Sequence, residues 1–173
     1  MIDANERVIL VDEDDRELGT MPKLAAHQDG GTLHRAFSVF VLNGQGEVML
    51  QRRAAGKYHC AGRWTNTCCG HPRPGEDVAA AARRRLREEM GFDCALQPAG
   101  TFTYRADVGS GLVEHEVDHV FTGRHDADPA PDPAEADGWR WQTPEDALAE
   151  AEAHPEHFTP WFALALRAWM RGG

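Results

Sequence analysis

Residues 66 to 76 read NTCCGHPRPGE and bring two adjacent cysteines and a histidine together ahead of a predicted helix. Neighbouring cysteines can form a disulfide only through a strained ring, and a zinc ribbon places two or more residues between its paired cysteines. Cys68 and Cys69 are therefore not expected to form a structural pair. We interpret this stretch as part of a site that does chemistry.

A second chemically suggestive pair is Glu114 and Glu116, which lie one residue apart in a segment with strand character. In a strand, both carboxylates point to the same face about 7 Å apart, close enough to converge on one cation. His115 points to the opposite face and is not assigned as a ligand. Carboxylates combined with histidines suit Mn²⁺, Mg²⁺ or Zn²⁺, and the sequence does not choose among these metals.

The composition is that of a globular protein. The 173 residues are enough for a single domain over residues 1–173 and few for two. Hydrophobic residues make up 42% of the chain, and the formal net charge is −10. Such a surface does not attract nucleic acid or an anionic membrane, so an anionic ligand must be held by local bases or metals. We predict a monomer that binds neither nucleic acid nor membrane.

The N-terminus and the cysteine content predict a cytoplasmic protein. The start, MIDANERVIL, lacks the basic flank and long apolar run of a signal peptide, and no stretch approaches transmembrane length. Four cysteines form no dense disulfide framework, so we expect reduced thiols: Cys60, Cys68, Cys69 and Cys94.

In the first half of the chain, strand-like segments alternate with turns. RVILVD and RELGT flank the acidic turn DEDD and predict a strand pair, and a short helix near PKLAAHQ follows. RAFSVFVL and EVMLQRR flank NGQG and predict a hairpin. From Glu76 to Met90 an apolar residue at every fourth position predicts a helix with one face on a core, and Gly91 ends it.

The second half predicts two more strands, ALQPAGTFTYRADV and LVEHEVDHVFTG, then a surface loop, HDADPAPDPAEADG, and a short strand, WRWQ. Two helices are expected to close the chain. Each is opened by a Thr-Pro pair as N-cap and first-turn residue, namely Thr143-Pro144 and Thr159-Pro160. Together these elements predict an α+β fold, an α/β sandwich in which a mixed β-sheet is flanked by helices.

The central helix and the loop before it carry a motif. From Gly70 the chain reads GHPRPGEDVAAAARRRLREEMGF: Gly, five residues, Glu, seven residues, Arg, and then Glu-Glu before Gly and an apolar residue. This segment resembles the Nudix box, which implies the Nudix fold. The matching positions are Gly70, Glu76, Arg84, Leu86, Glu88, Glu89, Gly91 and Phe92.

One position departs from the box, because Arg85 stands where the family usually has glutamate. Nudix hydrolases gather helix carboxylates around metals to activate water, and an arginine here weakens that arrangement. Arg85 and Glu89 share a helix face, where the carboxylate can hold Mg²⁺ and the guanidinium can meet a metal-bridged phosphate. The departure favours another activity of the same fold over hydrolysis.

Motifs outside the box indicate that activity. Five segments follow one another along the chain: LAAHQDGGTLHRAFS, WTNTCCGHP, TYRA, GLVEHEV and TPW. In their content and order they resemble the type 1 isopentenyl diphosphate isomerases over nearly the whole chain. The resemblance implies an enzyme of isoprenoid biosynthesis that interconverts isopentenyl and dimethylallyl diphosphates. The double bond moves as one carbon gains a proton and another loses one, through a tertiary carbocation.

The resemblance also implies two metal ions. The family holds one divalent metal with three histidines and two glutamates, and the matching positions are His27, His34, His71, Glu114 and Glu116. A second ion, Mg²⁺ delivered with the diphosphate, is assigned to Glu89.

By the same resemblance, proton transfer is assigned to two sides of the substrate. The family's reactive cysteine lies in CGHP and is Cys69 here, whereas Cys68 is expected to pack. A thiol near cations and ahead of a helix N-terminus has its thiolate favoured, so we expect a lowered pKa for Cys69. Glu116 with Tyr104 serves the other side, and Trp161 offers a π face to the carbocation.

Four basic residues match the positions at which the family binds the diphosphate: Lys23, Arg53, Lys57 and Arg85. Arg52 and Arg53 are neighbours in a predicted strand and point to opposite faces, so only one of them can face the ligand.

Two other function classes stay open at this stage. A Nudix pyrophosphohydrolase would release phosphate from its substrate. A non-enzymatic zinc module would use His59, Cys60, Cys68, Cys69 and His71, although their spacing fits no common zinc site.

Overall fold

A nine-stranded mixed sheet forms the centre of the computed structural model, which describes residues 5–57 and 59–172. In chain order the elements are β1 (Arg7–Val11), β2 (Glu17–Pro22), α1 (Lys23–His27), β3 (His34–Leu42), β4 (Val48–Arg53), β5 (Trp64–Thr65), β6 (Cys68–Gly70), α2 (Val78–Met90), β7 (Leu96–Gly109), β8 (Leu112–Arg124), β9 (Ala136–Gln142), α3 (Pro144–Ala153), a 3₁₀ turn (Pro155–His157) and α4 (Phe162–Gly172).

Strand β3 organises the sheet around the later site. It runs parallel to β8, from His34 beside Glu116 to Leu42 beside Arg124. It also pairs antiparallel with β6, where Ser38 lies opposite Cys69. Because β3 is nearly continuous apolar sequence, it is buried on both faces, as a central strand should be. The strands that carry Cys69 and Glu116 therefore both pair with β3.

Helices cover both faces of the sheet. On one face, α2 packs Leu86 and Met90 against Phe37, Val39 and neighbouring apolar residues. On the other face, α3 and α4 pack against a second core that includes Phe40. Alternate residues of β3 thus enter opposite cores, and this alternation confirms the predicted sandwich of a mixed sheet and helices.

Helix α2 begins at Val78, two residues after the predicted start. Asp77 is its N-cap, and the Asp77 side chain accepts a hydrogen bond from the Ala80 N–H at 3.0 Å. Gly91 ends the helix in the left-handed conformation, with φ of 73°. A Cβ atom at Gly91 would lie 2.3 Å from the Ala130 carbonyl oxygen, so both the backbone angle and the close approach require glycine here.

The predicted strand pair, hairpin and two long strands are confirmed. Strand β9 is longer than predicted, because its first three residues come from the segment expected to be a loop, and two of them, Ala136 and Gly138, pair with β4. The short strands β5 and β6 were not predicted. Two or three residues are too few for a visible alternation of polar and apolar side chains.

The two Thr-Pro pairs have different outcomes. Thr143 caps α3 as predicted, with its hydroxyl accepting from the Asp146 N–H at 3.2 Å. The prediction for Thr159 is wrong, because α4 begins only at Phe162 and the Thr159 hydroxyl donates to Thr65 instead. None of the helices in residues 5–57 and 59–172 has the length and apolar character needed to cross a membrane.

Candidate active site

A cavity opens beside the strands that pair with β3, and most of the predicted site residues line it. These are Lys23, Arg53, Lys57, Cys69, His71, Arg85, Glu89, Tyr104, Glu114, Glu116 and Trp161. The remaining two, His27 and His34, are fully buried with their rings next to His71. The structure therefore brings all the predicted site residues into one region, although they span residues 23 to 161.

Three histidines and one glutamate converge at the buried end of the cavity. Ligand atoms of His27, His34, His71 and Glu116 all lie within 4.8 Å of one another. The Nε2 atoms of His34 and His71 are 2.9 Å and 2.5 Å from Glu116 Oε2. The four side chains come from α1, β3, the segment after β6, and β8. Together they could hold one divalent metal ion.

Backbone carbonyls orient two of these histidines. His27 Nδ1 lies 2.7 Å from the Lys23 carbonyl oxygen, and His34 Nδ1 lies 2.7 Å from that of Thr32. A carbonyl only accepts hydrogen bonds, so each Nδ1 carries a hydrogen, and in the neutral ring Nε2 is then the nitrogen that can bind a metal. This is the tautomer that a metal-binding imidazole needs. The donor set and its outer contacts therefore fit a divalent cation.

Glu114, the predicted fifth ligand, lies at the edge of this cluster. Its Oε1 atom is 4.0 Å from His27 Nε2 but only 3.0 Å from His59 Nε2. Its Oε2 atom accepts a hydrogen bond from the Tyr104 hydroxyl at 2.6 Å. His59, considered above only as part of a zinc module, is instead the partner of Glu114. Cys68 is fully buried in the apolar core beneath α2, which does not fit a role as zinc ligand.

Glu116 and Tyr104 have opposite protonation preferences. Burial alone would raise the pKa of Glu116, but His71 and His34 outweigh burial and hold that pKa well below its usual range. Burial and the neighbouring Glu114 and Glu116 carboxylates raise the pKa of Tyr104 well above its usual value. Tyr104 donates hydrogen bonds to both carboxylates. The pair thus combines an ionised carboxylate with a phenol that keeps its proton.

Cys69 lies on β6 and is a protonated thiol. Burial raises the pKa of Cys69 to about 12, and the carboxyl groups of Asp118 and Glu89 add to the effect of burial. The lowered pKa expected from the sequence is therefore wrong. Strand β6 carries the thiol, α2 begins only at Val78, and acidic groups lie near the sulfur. Cys68 faces the opposite core, which confirms the prediction that it packs.

The apolar wall of the cavity is a small aromatic cluster. Trp161, Tyr104, Val108 and Leu112 pack together there, with Cys69 against them. Trp161 is 3% exposed, and the guanidinium carbon of Arg53 lies 5.6 Å from the centre of its ring. An indole at this place already accepts a cation at its face, so it can offer the same face to a positive charge on a substrate.

Basic residues at the open end already have acidic partners. Lys57 Nζ is 2.6 Å from Glu135, and Arg85 Nη2 is 2.6 Å from Glu89 and 3.2 Å from Glu135. Lys23 Nζ is 3.4 Å from Glu6. These carboxylates hold the cations in place, and a diphosphate could take their positions.

The prediction that Arg52 and Arg53 point to opposite faces of their strand is confirmed. Arg53 is buried and lines the cavity, where its guanidinium donates to the His59 carbonyl oxygen at 3.2 and 3.3 Å. Arg52 points to the other side and pairs with Asp137 at 2.6 Å. Alternation along β4 therefore selects Arg53 for the cavity.

Several residues near the cavity were not indicated by sequence patterns: Glu6, Ser38, Gln51, Asn66, Asp118 and Glu135. Asp118 was detectable, because it continues the two-residue alternation of Glu114 and Glu116 along β8. Glu135 was hidden in a Pro- and Asp-rich segment that predicted only a loop. Buried polar contacts such as those of Ser38 and Asn66 leave no periodic signal.

A family model described as NUDIX domain matches residues 32–162. The chain is similar to Isopentenyl-diphosphate Delta-isomerase 2 of Aromatoleum aromaticum, with 55% identity over 93% of this chain and 85% of that protein. It is 54% identical to Isopentenyl-diphosphate Delta-isomerase of Halorhodospira halophila over 91% of each chain. The enzyme of the same name from Serratia proteamaculans is 49% identical over 94% of this chain and 90% of that protein.

Solved structures share the fold. DR0079 from Deinococcus radiodurans superposes with a TM-score of 0.78 and 26% identity, covering 94% of this chain and 98% of that one. The MutT protein from Methanosarcina mazei Go1 gives a TM-score of 0.66 and 21% identity over 80% of this chain and 94% of that one. The second likeness concerns the fold alone.

Proposed function

Because the chain belongs to the isopentenyl-diphosphate Delta-isomerase family and carries a NUDIX domain, we infer that it interconverts isopentenyl and dimethylallyl diphosphates. One observation supports this inference above the others. Cys69 on β6, Glu116 on β8 and Tyr104 on β7 reach the same cavity, and β6 and β8 both pair with β3. A double-bond shift needs two such proton-transfer groups, one to add a proton and one to remove it.

The protonation states of these groups are complementary. Cys69 is a thiol that can give a proton to the terminal alkene carbon, which leaves a thiolate and a tertiary carbocation. Ionised Glu116, with Tyr104 beside it, can take a proton from the carbon on the other side of the cation, and the new double bond forms there. In the reverse direction the two groups exchange roles. The diphosphate keeps all its bonds throughout.

Trp161 is proposed to stabilise the carbocation. Its buried indole face attracts positive charge, an effect that reaches about 2 kcal/mol when the site is dry. The aromatic cluster around it also excludes water, which would otherwise add to the cation and give an alcohol.

His27, His34, His71 and Glu116, with Glu114 as a fifth ligand, are proposed to hold a divalent metal, either Mn²⁺, Mg²⁺ or Zn²⁺. When bound, the cation supplies positive charge that tunes the acidity of Glu116. Glu89 is proposed to hold a second Mg²⁺ that arrives with the diphosphate. Lys23, Arg53, Lys57 and Arg85 then neutralise and orient the diphosphate oxygens.

The enzyme is proposed to act as a monomeric single domain in the cytoplasm on a small prenyl diphosphate. The four cysteines are all unpaired, which is compatible with a reducing compartment. The net charge of −10 disfavours nucleic acid or anionic membrane as partners.

Turnover in D₂O tests this function. The protein is incubated with isopentenyl diphosphate and Mg²⁺, and the products are observed by NMR. We expect dimethylallyl diphosphate with deuterium in a methyl group, isopentenyl diphosphate formed by the reverse reaction with deuterium at its allylic carbon, and no free phosphate. Phosphate release from prenyl or nucleoside diphosphates, with unlabelled carbons, would instead identify a pyrophosphohydrolase.

A further inference from the structure

Asn66 is a fully buried side chain between β5 and β6, and its orientation is set by the backbone around it. Its Nδ2 group donates to the carbonyl oxygens of Val39 at 3.1 Å and Cys68 at 2.8 Å. Carbonyl oxygens only accept hydrogen bonds, so the NH₂ end of the amide must face them. The Asn66 Oδ1 atom therefore has to point the opposite way, toward Cys69.

The Cys69 thiol donates to this oxygen over an Sγ–Oδ1 distance of 3.0 Å. The Thr65 hydroxyl donates to the same oxygen at 2.9 Å. Ser38 Oγ is farther from the sulfur, at 3.9 Å, and donates to Asp118 at 2.8 Å. Of these polar neighbours, Asn66 is thus the closer one to the thiol.

We propose that Asn66 is a positioning residue for Cys69, an assignment that rests on the proposed isomerase function. Cysteine has one side-chain torsion with three staggered positions, and the hydrogen bond to a fixed amide selects one of them. In that position the sulfur lies against Tyr104 and Trp161 in the cavity. Asn66 therefore holds the thiol where the substrate carbon must meet it.

A purely structural role for Asn66 would have different consequences. The two Nδ2 bonds brace the backbone of β3 and β6, and their loss would lower stability whether or not Oδ1 acts on Cys69. Thr67 is a matched control in the same segment. It is fully buried, accepts from the Val41 N–H at 3.0 Å and donates to the Met49 carbonyl oxygen at 2.6 Å. These contacts brace the backbone without involving the thiol.

Kinetics of Asn66→Ala and Thr67→Val separate the two roles. Both variants should have a lower Tm. Only Asn66→Ala should lose kcat, by roughly 10- to 100-fold, because a misplacement near 1 Å costs about that much. Its KM should stay within about threefold, since the basic residues that bind the diphosphate are untouched. Equal losses of kcat in the two variants, or none in folded Asn66→Ala, would overturn the proposal.

The S–H stretching band provides a second readout that does not need turnover. The infrared difference between wild type and Cys69→Ala isolates the band of this thiol. We expect it at a lower frequency than the band of a simple alkanethiol in an apolar solvent. It should rise in Asn66→Ala and stay in place in Thr67→Val.

If Asn66→Ala does not fold, the S–H band of wild type alone tests the hydrogen bond between Cys69 and Asn66. A band at the frequency of an unbonded thiol would contradict the hydrogen bond and with it the positioning role. Failure of the proposed function would look different, because wild type would then produce no dimethylallyl diphosphate whatever the position of the band.

Discussion

The two ends of the cavity handle charge in different ways. At the inner end, His27 and His34 are 0% exposed and Glu116 is 4% exposed, so ionised and neutral groups meet away from water. At the outer end, the side chains of Lys57, Arg85 and Glu135 are 18% to 23% exposed and form ion pairs within reach of solvent.

This difference assigns proton transfer to the inner end and diphosphate binding to the outer end. In the buried end each proton position is decided by burial and a few direct neighbours, and a lost partner leaves a charge that water cannot solvate. At the open end, ion pairs are partly screened, and a diphosphate can replace the carboxylates as partner of the same cations. Changes at the inner end should remove turnover, whereas changes at the outer end should alter the concentrations required.

The largest expected effect is at the thiol. Cys69→Ala should lower kcat by at least about 100-fold, because general acid–base groups contribute on that scale. Cys68→Ala should keep most activity and lose only some stability, since Cys68 packs in the core beneath α2. Isomerisation rates of the two purified variants check this. Similar rates in both would break the assignment of Cys69.

Glu116→Gln and Glu89→Gln should differ in kind. Glu116 contacts two histidines of the cluster, so its variant should lose turnover and retain less metal after dialysis. Glu89 is buried but contacts Arg85, a residue of the outer end, so its variant should mainly raise the Mg²⁺ and substrate concentrations needed for half-maximal rate. Metal analysis and Mg²⁺ titrations measure the two defects. Restoration of both variants by excess Mg²⁺ would contradict separate roles for the two ends.

Trp161→Leu should be slower than Trp161→Phe by roughly tenfold or more. Phenylalanine keeps a weaker π face, whereas leucine fills space without one, and about 2 kcal/mol of cation–π attraction corresponds to such a factor. Both variants preserve an apolar wall, so each is the control for the other. Equal kcat values in folded variants would show that Trp161 only packs.

The smallest expected effect concerns the ion pairs of Glu135 at the outer end. Burial would raise the pKa of Glu135, but Lys57 and Arg85 lower it from 4.5 to about 2. A carboxyl group whose pKa is lower in the folded than in the unfolded state stabilises the protein at pH values above the unfolded-state pKa. This stabilisation is lost as the pH falls from 4.5 through about 2. Glu135→Gln should therefore be less stable than wild type at pH ~7, with a difference that narrows across this acid range.

Denaturant unfolding of wild type and Glu135→Gln at several pH values measures that difference. Glu13→Gln, which changes an exposed carboxylate in the turn between β1 and β2, is the matched control. A gap between wild type and Glu135→Gln that stays constant as the pH falls would argue against ion pairs as the source of the stability.

Much of the fold could be predicted because its elements carry regular patterns. The helical spacing before Gly91 and the alternating strands around Glu114 and Glu116 repeat over enough residues to reveal their periods. The two-residue β5, the three-residue β6 and the true start of α4 could not be predicted in the same way. They depend on pairing with distant partners, as Thr159 does with Thr65.

The sequence by itself determined many, but not all, of the chemical groups in the site. It predicted the histidines, carboxylates, bases and aromatic residue that the cavity gathers, since motif order and residue type are local properties of the chain. Only the tertiary structure decided their electrostatic state. Cys69 was expected to have a lowered pKa, and its pKa is instead raised, because β6 buries the sulfur near the carboxyl groups of Asp118 and Glu89. Proton affinity depends on desolvation and on neighbours that are remote in sequence, and folding alone brings these together.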